Sequence, residues 1–89
     1  TGLPVSSSAL LVKLPVSFER NLLLGRLNYD RHTSDSLTLA SSYLKEAINM
    51  NPSDVSAHRL YAAVLLDLNQ TSESAKQAAI INRLVTGRP

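Results

Sequence analysis

Hydrophobic positions recur at helical spacing along most of this chain, and polar clusters interrupt them at intervals. From Pro15 onward, Val16, Phe18, Leu22, Leu23, Leu24 and Leu27 populate one broad apolar face, with Glu19, Arg20, Arg26 and Asp30 elsewhere. Proline suits a first helical turn, where its missing N–H breaks no bond. The cluster Asp30-Arg31-His32-Thr33-Ser34-Asp35 ends this helix, and Ser34 or Asp35 offers a side-chain cap for the next. Leu37, Ala40, Leu44, Ala47 and Ile48 make a second stripe, which Pro52 stops because proline cannot continue a helix interior. Asp54 can cap a third helix, whose stripe is Ala57, Leu60, Tyr61, Val64, Leu65 and Leu68. Asn69-Gln70-Thr71-Ser72 forms the next turn, and asparagine tolerates the left-handed backbone such turns need. A fourth helix carries Ala75, Ala78, Ala79, Ile80 or Ile81, Leu84 and Val85, with Gly87 and Pro89 as its stop.

No segment alternates in the manner of a strand. The pattern therefore predicts an all-α fold of four helices, each roughly 12–16 residues long and joined by short turns that make neighbours antiparallel. The hairpins span about 15–50 and 54–86 within a helical domain over 15–89. Residues 1–14 are different: Val5, Leu10, Leu11, Val12 and Leu14 keep no period, and Pro15 pushes Leu14 away from helical backbone. That stretch is expected to be an irregular arm laying an apolar edge on the body.

Composition removes whole classes of chemistry. At 89 residues there is room for one modest domain. The absence of cysteine excludes disulfides, thiolate metal sites and cysteine nucleophiles. No apolar run approaches the roughly 18–20 residues of a membrane span. The start, Thr1-Gly2-Leu3-Pro4 without methionine, is expected of an excised segment or a processed product. A pI near 9.3 suggests a basic surface, yet nine Lys and Arg face seven Asp and Glu with the signs interleaved. Nucleic-acid and anionic-membrane surfaces concentrate their positive charge instead.

The remaining candidates for chemistry are few. His32 and His58 have no cysteine or second histidine at ligand spacing, so neither metal nor cofactor is expected, and both read as surface imidazoles. Asp30 and Asp35 flank a turn and look like caps, and Ser6–Ser8 reads as a flexible or capping run. No phosphate loop or serine elbow occurs, which argues against an enzyme. Asn69-Gln70-Thr71 matches the N-glycosylation pattern, but the turn role of Asn69 accounts for it. A helix–turn–helix reader would have to present Lys76, Gln77, Asn82 and Arg83, a sparse set without the usual turn glycine.

The two halves of the chain are similar to each other. Asp35 and Asn69 sit at equivalent turns 34 residues apart, and that is a tetratricopeptide period. Ala40-Ser41-Ser42-Tyr43-Leu44-Lys45-Glu46-Ala47-Ile48-Asn49-Met50-Asn51-Pro52 places a small residue, a bulky one, an alanine and a proline in a telling order. It resembles the end of a tetratricopeptide second helix. Asn51 to His58 resembles that family's passage into the next repeat, and Tyr61, Ala62 and Leu65 continue the likeness. The resemblance covers about residues 19–86. Asn28 and Arg31 depart from it in the first helix, as do Ser74 and Ala78 in the last.

What the resemblance implies is a short right-handed solenoid of stacked antiparallel hairpins whose first helices line a concave groove. Leu22, Gly25, Tyr29 and His32 would then form the groove side of the first hairpin. Ser56, Arg59, Ala63, Leu66 and Asp67 would form that of the second. The family's carboxylate clamp for chaperone tails is not implied, because Tyr29 and Ala63 replace its asparagines and Gly25 a lysine. Two repeats fall short of the roughly three usually needed to stand alone, so packing on a neighbouring domain or self-association is expected. The expected function is a non-catalytic protein–protein interaction or scaffold module of a larger protein, holding a protein or peptide rather than a small-molecule substrate. Soluble appendages of bacterial envelope and polysaccharide-assembly proteins are one setting for similar segments. The alternative is a small helical nucleic-acid-binding regulator.

Overall fold

A computed structural model of the chain describes residues 16–87. The expected arm over 1–14 lies outside them, as does Pro15. The described residues form four helices and no strand: α1 (Phe18–Arg31), α2 (Ser34–Met50), α3 (Val55–Asp67) and α4 (Thr71–Thr86).

Each boundary has a local cause. Helix α1 begins where the Ser17 hydroxyl accepts the Arg20 N–H at 3.1 Å, and it ends on His32 in left-handed backbone at φ 58°. Neither Ser34 nor Asp35 caps α2. Thr33 does so one residue earlier, because it forms a reciprocal capping box with Ser36: Ser36 N–H to Thr33 Oγ1 at 3.1 Å, Thr33 N–H to Ser36 Oγ at 2.9 Å. Asp54 caps α3 as expected, its Oδ1 accepting the Ala57 N–H at 2.8 Å. The turn after α3 places Asn69 at φ 63°. The Gln70 N–H reaches the Leu65 carbonyl at 2.8 Å and the Asn69 N–H reaches Leu66 at 3.0 Å, the two bonds of a Schellman stop with asparagine in the usual glycine place. Gly87, at φ 70°, closes α4.

Every helix packs on its neighbour in the chain, α1 also touches α3, and α2 does not reach α4. Among the described residues, Leu24, Leu37, Ala40, Leu44, Ala47, Ala57, Val64 and Leu65 are the buried apolar ones. Alanines among them let helix axes approach, and Leu44 with Val64 fills the space left between. Gly25 marks another close approach, because a Cβ there would lie 2.5 Å from Leu44 Cγ.

Helix α4 differs from the expected stripe. Ala75, Ala78 and Ala79 are exposed, whereas Ser74 is buried and Gln77, Ile80, Ile81 and Leu84 are half-buried. Two polar contacts set this roll: Ser74 Oγ donates to the Ala62 carbonyl at 3.0 Å, and Gln77 meets His58. Alanine side chains bury too little area to oppose them. Ser74 is the sole fully buried residue of α4 among those described, so this helix is held more weakly than the other three.

His58 departs most from its expected surface role. It is 3% exposed, with Nε2 2.7 Å from the Pro52 carbonyl and Nδ1 2.6 Å from Gln77 Oε1. Nε2–H donates to the Pro52 carbonyl, and Nδ1 pairs with the Gln77 side-chain amide. One side chain thereby ties the α2–α3 turn, α3 and α4 together.

Candidate partner-binding groove

The antiparallel order α1–α2–α3 brings the first helices of the two hairpins side by side, pointing the same way. Their C-terminal ends meet: His32 Nε2, just past α1, lies 3.1 Å from Oδ2 of Asp67, the last residue of α3. His32 Nδ1 also faces the Tyr29 carbonyl at 3.2 Å, and the Tyr29 and His32 rings meet edge to face with centroids 5.3 Å apart. The Tyr29 hydroxyl also lies close enough to the Asp67 carboxylate to feel its charge. Together Tyr29, His32 and Asp67 form a clasp. The His32–Asp67 pair is largely solvated, so it orients the helix ends more than it stabilises the fold.

Burial raises the Tyr29 phenol above its usual range, and the Asp67 charge, the hydrogen bond to Asp67 and the Asp30 charge add to the rise. A raised folded-state value means that the protonated phenol supports the fold below the ordinary tyrosine range. That support is lost as pH climbs through the folded-state value. In Asp67→Asn, the Tyr29 ring NMR signals should therefore titrate at lower pH than in the wild type. An unchanged titration would show that Asp67 does not contact the phenol.

One to two turns before the clasp, α1 and α3 enclose an open groove of about 300 Å³ lined by Arg26, Ser56, Arg59, Leu60 and Ala63. Its floor is aliphatic and its charged lining is cationic. Neither arginine is ion-paired with another described residue.

The residues anticipated from sequence separate into three groups. Arg59 and Ala63, with Ser56, line the groove, and Tyr29, His32 and Asp67 make the clasp beside it. Leu22 is half-buried and packs on the Ala40–Leu44–Val64 core, and Gly25 is buried against Leu44. Neither lines the groove. Leu66 is 54% exposed on α3 but also lies outside the lining. Arg26 and Leu60 were missed. The stripe Leu22–Arg26–Tyr29, at spacings of four and three, is the signal that places Arg26 on the side of Tyr29.

Among the described residues, no group of histidine, aspartate or glutamate is arranged to hold a metal ion, and no helix is long and apolar enough to cross a membrane. The chain matches no protein-family model, no curated protein and no solved structure.

Proposed function

We propose that the chain is a pair of tetratricopeptide-like hairpins stacked as a short right-handed solenoid. It acts as a non-catalytic module that holds a peptide or protein segment on the face shared by α1 and α3. The observation that supports this most is the meeting of α1 with α3 around one open groove, while α2 and α4 stay apart. A volume of about 300 Å³ is at the bottom of the range for small-molecule sites, and it suits one or two side chains of a longer ligand. Arginine and tyrosine, both at this face, are residue types enriched among interface hot spots.

The test is selection from a random peptide display library on the immobilised chain, followed by rebinding to the double variant Tyr29→Ala/Arg59→Glu. Arg59 is exposed, whereas Tyr29 is half-buried against the Ala40–Leu44–Val64 cluster, so helical circular dichroism is verified first and Arg59→Glu alone serves as the second variant. Selected peptides should lose most of their binding to the double variant. Equal binding to a still-helical variant would place the interaction elsewhere.

A further inference from the structure

We infer that the α1–α3 groove is specific for an acidic segment: a peptide carboxylate held between Arg26 and Arg59, with an aliphatic side chain on Leu60 and Ala63. The inference rests on the peptide-binding reading above and adds the chemistry of the ligand. Arg26 projects from α1 and Arg59 from α3, so the groove is flanked by two guanidinium groups and no carboxylate. Asp67, the acid at the neighbouring clasp, is already engaged by His32 and Tyr29. Two cations facing one space, with no ion-pair partner among the described residues, repel each other, and a ligand anion removes that repulsion while forming charge-assisted hydrogen bonds with both. The chain's own N-terminal segment does not supply that anion. Residues 1–15 contain Lys13 and no aspartate or glutamate. The occupant assigned here is therefore an acidic partner peptide, which the two guanidinium groups complement in charge. The groove lining has no aromatic ring on which a base could stack, and its aliphatic floor favours a peptide side chain over a nucleotide.

The probe is an end-blocked fluorescent nonapeptide of alternating leucine and glutamate, compared with the same peptide carrying glutamine for glutamate. A third version has the glutamine sequence with a free C-terminal carboxylate, and a mixed-sequence oligonucleotide is the fourth arm. The glutamate peptide should shift the backbone amide NMR signals of Ser56, Arg59 and Ala63 and bind at least about tenfold more tightly than the glutamine peptide. Its affinity should fall as salt is raised. Arg26→Gln and Arg59→Gln should each weaken it about tenfold and leave the glutamine peptide unchanged, whereas Arg83→Gln on α4 should change neither. Recovery of affinity by the free C-terminus would assign the carboxylate to a chain end, and its absence to a side chain; both support the inference. Equal binding of the glutamate and glutamine peptides would overturn it and leave the peptide-binding reading standing. Failure of every peptide to shift the groove amides would overturn both. Tighter binding of the oligonucleotide at the same amides would transfer the two arginines to phosphate recognition and end the acidic-peptide assignment.

Discussion

Gly25→Val should lower the unfolding midpoint steeply, because the site has no space for a side chain. An added Cβ would sit 2.5 Å from Leu44 Cγ and 2.6 Å from Cδ2, where carbon atoms normally stand about 3.5–4.0 Å apart. Leu44 cannot retreat freely. It is fully buried and belongs to the cluster with Ala40 and Val64 that joins the two hairpins. Overpacking of this kind costs about 1–3 kcal/mol for ordinary insertions, and a β-branched residue at so close an approach belongs at or above the upper end. Gly25→Ala is the milder case, since relief of glycine's helix penalty, about 1 kcal/mol, offsets part of the strain. For a domain of this size each kcal/mol shifts the melting temperature by roughly 4–8 °C.

The cause can be isolated with Leu44→Ala. Alone it should cost about 2–5 kcal/mol by opening a cavity. Combined with Gly25→Val, the valine occupies space that Leu44 has vacated, so the double variant should be more stable than the two separate losses predict. A coupling of about 0.5–3 kcal/mol is the range for residues in direct contact. Additive losses would mean that Gly25 is not apposed to Leu44. The same packing explains why Gly25 offers nothing to a ligand, although it falls one residue from Arg26.

What could be read from the sequence follows from how far each signal reaches along the chain. The second and third helices were legible because Leu37, Ala40, Leu44 and Ala47, then Ala57, Val64 and Leu65, repeat at helical spacing and are all buried. Asp54, Asn69 and Gly87 were legible because their chemistry acts within a few residues. The cap of α2 was missed by one position: three hydroxyl or carboxylate residues in a row compete there, and only the reciprocal bond to Ser36 selects Thr33. The roll of α4 was not legible, because it depends on Ala62 and His58, 12 and 19 residues away from their partners Ser74 and Gln77. The candidate groove was half legible. Arg59 and Ala63 were anticipated from the family resemblance, whereas Arg26 took the place that resemblance had given to Gly25.

His58→Leu should be the most damaging polar-to-apolar substitution among the described residues, and its effect should fall mainly on α4. The leucine can occupy much of the ring's volume, so little of the loss comes from a cavity. It removes two contacts at once, to the Pro52 carbonyl at 2.7 Å and to Gln77 at 2.6 Å. An unmatched buried polar group costs about 1–3 kcal/mol, and two bonds lost together place the expected destabilisation at about 2–3 kcal/mol, since Pro52 sits where water can replace part of its bond. Helix α4 has Ser74 as its one fully buried described residue and, among the described helices, packs on α3 alone. Losing the His58–Gln77 contact leaves the Ser74–Ala62 bond and half-buried Ile81 and Leu84 to hold it. Hydrogen exchange should consequently accelerate along α4 well before it does in α1 and α2. Gln77→Leu should cost less than His58→Leu, because Gln77 is only half-buried and His58 keeps its bond to Pro52. Adding Gln77→Leu to His58→Leu should recover part of the loss, since an apolar pair leaves no amide facing a hydrocarbon. If His58→Leu matches the wild type in both denaturant midpoint and α4 exchange, the histidine does not pin the second hairpin. The roll of α4 must then be set by Ser74 and its apolar neighbours.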